Sequence, residues 1–313
     1  MNERFSKKVD PMPAQTPNES LVLMYHGLDP GDGRYAQTPP EARAYVLSRS
    51  DFLDHLSLLE RAGRRLADPA EFHQEQIGRI GPIGQIGLTG AKPLLSPNEV
   101  LLTFDDGMLS DYDVAFPILA EKGRRAAFFI TTGEVGAKGR VTWEHLREMA
   151  AAGMTLGAHG HTHRFLSELG ADEQRKELET SRALIQDKTG VAVRMMSLPG
   201  GRFRSDTFAA ARAWGYTAVF TSSPHPERTC GGVRVIGRIA LSAGWGAADG
   251  PHETGSQRMR DFLARQSACL AAMRRTDALH RFAQACLGPR TYAWLHRACW
   301  RLRAGTVGES SQD

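Results

Sequence analysis

Residues 100–107 read VLLTFDDG. A short apolar run passes directly into two carboxylates and a glycine, the pattern of a buried strand that ends at a polar rim. Six further runs share the first half of that pattern: LVLMY (21–25), RAAFFIT (125–131), MTLGA (154–158), VRMMSL (193–198), YTAVFT (216–221) and VRVIGRI (233–239). Between most of them lie helical segments. SDFLDHLSLLERAG places Leu53, Leu56 and Leu59 on one face and stops at Gly63. SDYDVAFPILAEKG ends on Gly123, and TWEHLREMAAAG opens on Thr142 as N-cap and closes on Gly153. DEQRKELETSRALIQDKTG and SDTFAAARAWG follow the same rules. Strands alternating with helices make a parallel α/β sheet, open or closed into a barrel. In either case ligands bind beyond the carboxyl ends of the strands.

Those ends are where the chemistry collects. His26-Gly27 follows the first run, Asp105-Asp106-Gly107 the second and His159-Gly160-His161-Thr162-His163 the fourth. Pro199-Gly200-Gly201 follows the fifth and SSPHP, with His225, the sixth. On a continuing strand His159, His161 and His163 would share a face. The strand is expected to stop near Ala158, with Gly160 helping the turn, which leaves His159 and His163 as a His-x-x-x-His metal pair. His161 is then a supporting residue. Adjacent side chains at a strand end diverge, so one of Asp105 and Asp106 can meet a cation while the other faces substrate. One carboxylate and two imidazoles leave coordination positions open, as catalytic zinc sites require.

LTFDDG with HGHTH resembles the polysaccharide deacetylase family, also called NodB-homology or carbohydrate esterase family 4. VLMYHG (22–27), FPILAEKGRRAAFFIT (116–131), TWEHLREMAAAGMTLGAH (142–159), LPGGRF and AWGYTAVFTS extend the likeness over roughly residues 20–240. The resemblance implies a distorted (β/α)7 barrel with N- and C-terminal extensions. It also implies a divalent metal, usually zinc, on Asp106, His159 and His163, with Asp105 as catalytic base and Gly200 offering a backbone N–H to the oxyanion. The activity implied is removal of N-acetyl groups from a polysaccharide or a lipid-linked precursor. An O-acetyl esterase or other amide hydrolase using the same site, and a catalytically silent carbohydrate-binding protein, are the alternatives. Two features depart from the family. Ser197 stands where relatives carry the arginine that orients the base, leaving Arg194, Arg202 and Arg238 as candidates. GRIALSAG lacks the usual Leu-x-His general acid, for which His225 or His26 would have to substitute.

The bulk composition fits a globular enzyme: 313 residues, 41% hydrophobic, 24% charged and a net charge of +4. Four cysteines without a CxxC pair suggest neither a zinc finger nor a disulfide framework. Residues 1–20 are polar and Pro-rich and are expected to be disordered, with no apolar run of signal-peptide length. The barrel is expected over 21–240, interrupted by a flexible Ile-Gly insertion at 77–99. A basic helical extension over 241–313 follows it. Between Arg258 and Arg303 stand ten arginines, two aspartates and no lysine or glutamate. TYAWLHRACWRLR within it suits either a helix packed on the barrel or peripheral contact with an anionic membrane. The expectation is a cytoplasmic protein, membrane-peripheral in the second case, with a carbohydrate substrate and no nucleic-acid partner.

Overall fold

The computed structural model describes residues 19–38, 40–73, 93–242 and 255–287. Nearly all of the expected disordered leader, the Ile-Gly repeats and the TYAWLHRACWRLR segment lie outside the described residues. Each of the seven apolar runs contains a strand: β1 (Leu21–Tyr25), β2 (Glu99–Phe104), β3 (Ala127–Ile130), β4 (Thr155–Ala158), β5 (Met195–Ser197), β6 (Ala218–Phe220) and β7 (Val233–Ile236). They pair side by side in the order β7-β6-β5-β4-β3-β2-β1, all parallel.

The last run, expected as one strand, is two. β7 ends at Ile236, and β8 (Ile239–Ala240) follows after a break at Gly237-Arg238. Val235 is in register with Val219 of β6, whereas Ile239 is in register with Leu23 of β1. One stretch of chain therefore pairs with both ends of the sheet and closes a distorted (β/α)7 barrel. A wedge of loop causes the break. A Cβ on Gly237 would lie 2.2 Å from the His225 carbonyl and 2.6 Å from that of Ser223, so only glycine fits.

Side-chain alternation fills the barrel. Val22, Leu101, Ala127, Phe129, Met195, Ala218, Phe220 and Ile236 form one buried cluster, with Phe72 and Leu95 packed into it. Leu95 and Glu99 belonged to the segment expected to be flexible. Leu95 is instead core and Glu99 is the first residue of β2, because the apolar Leu94-Leu95 pair has this cluster to cover. Outward-facing residues meet the helices. Tyr25 stacks on Phe104 at 5.2 Å and Phe104 on Phe128 at 4.8 Å, while Phe52 meets both Tyr25 and Phe104 edge-on.

Phe52 lies on α1 (Arg49–Arg61), whose Ser48 N-cap accepts from the Asp51 N–H at 3.0 Å. The buried face of α1 is Phe52, His55, Leu56, Leu58 and Leu59, one residue round from the expected face, and Leu53 sits at its margin. The helix expected from Ser110 starts as a π turn, Asp111–Ala115, before α2 (Phe116–Glu121). Pro117 has no N–H to offer the carbonyl four residues back, so the α ladder cannot run through it. Thr142 caps α3 (Trp143–Ala151) as expected, in a reciprocal box with His145. α4 (Ala171–Thr189) and α5 (Thr207–Ala213) complete the alternation.

Beyond the barrel, α6 (Gly255–Ala264) buries Met259 and Phe262 and packs against α1. Residues to Gln266 make one unit; Ser267 onward make another, whose described part is the rest of helix α7 (Gln266–Leu287). Among the described residues no helix is long and apolar enough to cross a membrane.

Candidate metal centre

Leu101, Thr103 and Asp105 alternate on the inner face of β2 and its continuation, which carries Asp105 into the barrel mouth. Its side chain is 2% exposed. A carboxylate so desolvated requires a partner, and Arg238 supplies it from the break between β7 and β8. Arg238 Nη1 donates to Asp105 Oδ1 and Nη2 to Oδ2, both at 2.7 Å, the two-pronged geometry that fixes a carboxylate in plane. Arg238 is fully buried over the rings of Phe129 and Phe220 and also donates to Thr103 Oγ1 and the Thr221 carbonyl. Ser197 Oγ donates to Asp105 Oδ2 at 2.9 Å and accepts from Arg238 Nη2 at 2.6 Å. The small serine at the family's usual arginine position thus leaves room for a guanidinium arriving from another strand. Burial pushes the Asp105 carboxyl up, but Arg238 and His159 outweigh it and hold it below its ordinary value.

Asp106 turns the other way, with φ 80°. His163 has φ 59°, and these are the only non-glycine residues with positive φ among the described residues. Such conformations typically cost about 1–3 kcal/mol each and gather at functional sites. Here they aim both side chains at one point. Asp106 Oδ1 lies 3.3 Å from His159 Nε2 and 3.2 Å from His163 Nε2, and the three ligand atoms lie within 4.8 Å of one another.

His159 Nδ1 is 3.0 Å from the Ser197 carbonyl. A carbonyl only accepts, so Nδ1 carries the hydrogen and Nε2 presents its lone pair to Asp106. Lone pairs of a carboxylate and an imidazole face one another stably only across a proton or a cation. That donor set fits a divalent metal, and the Ser197 bond is the usual support for a ligating histidine. Burial disfavours charge on Asp106, yet the imidazoles of His159 and His163 beside it hold its carboxyl well below the ordinary range. Burial likewise opposes the His159 cation, and Asp105 and Asp106 raise its pKa against that.

The loop between the two histidines is gripped from both sides. Glu177 of α4, itself buried, accepts from the His161 and Thr162 N–H groups at 2.6 and 2.9 Å and from the Thr162 hydroxyl. Opposite it, Gly133 N–H donates to the His161 carbonyl at 2.8 Å, and a Cβ at Gly133 would come within 2.5 Å of that oxygen. His161 Nδ1 pairs with Thr132 Oγ1, a supporting position as expected. Sequence reasoning missed Glu177. It is an unremarkable helix residue until the fold brings it beneath the loop.

Gly200, expected as oxyanion donor, sits exposed in the turn Pro199–Gly201 with φ 58°. A Cβ there would meet the Phe165 ring at 2.5 Å. His225 is placed differently from expectation. Its Nε2 pairs with Thr221 Oγ1 and its Nδ1 donates to the Pro226 carbonyl, while its backbone braces Gly237. It secures the wedge in the closing strand. His26, the other candidate acid, feels the charges of Asp106, Asp105, Arg238 and His159, and its buried Nδ1 has no hydrogen-bond partner. Burial lowers its pKa against the pull of the two carboxylates.

Comparison with known proteins agrees with this geometry. The family model described as polysaccharide deacetylase matches residues 94–219. Over that span the chain is similar to the polysaccharide deacetylases. By that similarity the chain is a hydrolase of the polysaccharide deacetylase type. Over 232 residues, 74% of each chain, it is 28% identical to the Bacillus subtilis protein named "Putative polysaccharide deacetylase YxkH". IcaB from Ammonifex degensii aligns with a TM-score of 0.55 at 28% identity, covering 72% of this chain and 92% of that one. The fold is also that of the Streptococcus pyogenes deacetylase PplD, in complex with acetate, with a TM-score of 0.59 at 23% identity over 77% and 97% of the two chains.

Proposed function

We propose that the protein removes N-acetyl groups from a polysaccharide or a lipid-linked saccharide, with a divalent cation, zinc by the chemistry of the donor set, held by Asp106, His159 and His163. The observation that carries this reading is the convergence of the Asp106 carboxylate and two Nε2 atoms beside a second carboxylate locked by Arg238. A cation bound there would supply Lewis acidity, lowering the pKa of water and polarising the acetyl carbonyl.

The chain's own groups then divide the work. Asp105, ionised and fixed by Arg238, accepts the proton of the attacking water. The Gly200 backbone N–H donates to the oxygen that gains charge as the carbonyl becomes tetrahedral. The amine leaves once a proton reaches its nitrogen. We assign that delivery to His26, because its Nδ1 is uncommitted while both ring nitrogens of His225 are engaged.

Acetate release from acetylated chito-oligosaccharides and from acetyl esters, with and without chelator, tests this reading. Release from the amides, abolished by chelator and restored by zinc, is the expected result. Release from esters alone would move the assignment to an O-acetyl esterase. A wild-type protein that binds zinc yet releases acetate from neither class would be the silent carbohydrate binder. In the same experiment Asp106→Ala and His163→Ala lose both zinc and activity while keeping the wild-type circular dichroism spectrum.

A further inference from the structure

Aromatic side chains around the barrel mouth are mostly spoken for. Phe165, beside Gly200, is covered by the Arg202 guanidinium at 4.5 Å from its ring centre. Phe203 packs on Phe208 at 4.8 Å, and Tyr112 lies flat on His145 at 3.9 Å. Tyr45 is different. It is 42% exposed, and with Leu279 it makes up the exposed large hydrophobic side chains among the described residues. Its ring centre lies 5.0 Å from that of His26, tilted by 50°.

The backbone around Tyr45 is anchored, so its position is set by the fold. Tyr45 N–H donates to the Ala42 carbonyl, Val46 N–H to that of Arg43 and Leu47 N–H to that of Gly27. Leu47 also pairs in register with Leu28, two residues past His26. The His26 loop is in turn tied to the aspartate loop, since Leu28 N–H and Tyr35 OH both donate to the buried Ser110 hydroxyl at 3.0 and 2.9 Å. A fixed chain of contacts thus runs from Asp105-Asp106 through Ser110 and the His26 loop to Tyr45.

We propose that Tyr45 is a specificity-determining residue, whose open ring face stacks on the apolar face of a pyranose ring and sets the sugar beside His26. This rests on the saccharide deacetylase reading above. Sugar rings carry their C–H bonds on broad faces, and a rigid aromatic wall with a polar tip matches such a face at little conformational cost. Exposure alone gives Tyr45 no structural duty, so its removal leaves the barrel and the metal ligands intact.

The test compares wild type, Tyr45→Ala and Tyr45→Phe in zinc-loaded form, with acetylated chitopentaose and 4-nitrophenyl acetate as substrates. Chitopentaose binding is followed independently by calorimetry. Tyr45→Ala is expected to raise KM and Kd for chitopentaose about tenfold, with kcat changed less than twofold and the aryl ester rate and zinc content unchanged. Tyr45→Phe, which keeps the ring, stays within about twofold of wild type. Equal KM and Kd in wild type and Tyr45→Ala overturn the proposal while the deacetylase reading stands. A wild type that neither binds nor cleaves chitopentaose defeats that reading, and the role of Tyr45 with it. Loss of ester activity together with saccharide activity in Tyr45→Ala would also overturn the proposal, since it marks a general effect on His26.

Discussion

Two stretches of backbone serve the same site and could hardly be less alike. Residues 159–163 bring two candidate metal ligands within five positions, through a glycine turn and a strained histidine. Residues 233–240 bring a single arginine, through a break in the strand that closes the barrel. The first stretch is local in sequence, because a His-x-x-x-His pair lies within one turn, even though Glu177 and Gly133 brace that turn from outside. The second has no local meaning. Arg238 matters only because Asp105, 133 residues away in sequence, lies opposite it. Short-range chelation and long-range charge pairing therefore leave different traces in a sequence, and they should fail differently when cut.

The sharpest contrast comes from cutting the long-range pair. Arg238→Met leaves the Asp105 carboxylate buried and unpaired, which should destabilise the barrel by about 3–5 kcal/mol. Adding Asp105→Asn to Arg238→Met removes the orphaned charge and should restore most of that loss without restoring activity. Urea unfolding of the two single variants and the double variant measures the coupling. Stabilities that simply add would show that the two groups do not depend on each other. By comparison His163→Ala, which cuts the local chelate at its half-exposed member, should change the stability of the metal-free protein far less.

A smaller effect is expected at the loop's support. Glu177→Ala frees the His161 and Thr162 N–H groups and lets the turn that spaces the histidines relax. Losing a group that orients ligands typically costs about 10–100-fold in metal affinity or activity. Glu177→Gln keeps one acceptor oxygen and should lie between Ala and wild type. Zinc titration with a competing chromophoric chelator orders the three proteins. An affinity for Glu177→Ala equal to wild type would mean that the loop holds its shape by its own turn, and the contrast between local and long-range control would then be complete.

The same distinction explains what could be read from the chain. The seven strands announced themselves as apolar runs, and the polar residues just past them could be grouped by one rule about parallel sheets. His159 and His163 followed as a pair from turn geometry, whereas the choice of Asp106 over Asp105 came only from the family resemblance. The helix faces were nearly right, and α1 was misjudged by one position because Leu53 and Phe52 are equally apolar. The partner of Asp105 could not be chosen among Arg194, Arg202 and Arg238, since nothing local tells which arginine points inward. The strand break that turns Arg238 inward depends on the Ser223–His225 wedge against Gly237, and Gly237 alone looks like any glycine in a strand. His225 misled for a related reason. A histidine after a strand end resembles a catalytic group until its ring nitrogens are found on Thr221 and Pro226.

The subtlest expected effect concerns a carboxyl that neither stretch uses. Asp111, at the start of the π turn, is fully buried, and neither of its side-chain oxygens has a hydrogen-bond partner. Burial, reinforced by the nearby Asp106 charge, raises its pKa well above the ordinary carboxylate value. The folded protein therefore keeps a proton on Asp111 at pH values where the unfolded chain has released it. With more protons bound in the folded state, stability falls as pH rises past the unfolded value of about 4 and keeps falling until the folded group ionises. Asp111→Asn has the same shape and no proton to lose. Its melting temperature should differ from wild type by a constant offset well below pH 4 and gain on wild type as the pH rises above that value. Comparing the two proteins at each pH cancels the titration of Asp106, His159 and His163, which both share. Parallel curves across that range would mean that Asp111 is ionised in the fold, and a buried cation or water would then have to stand beside it.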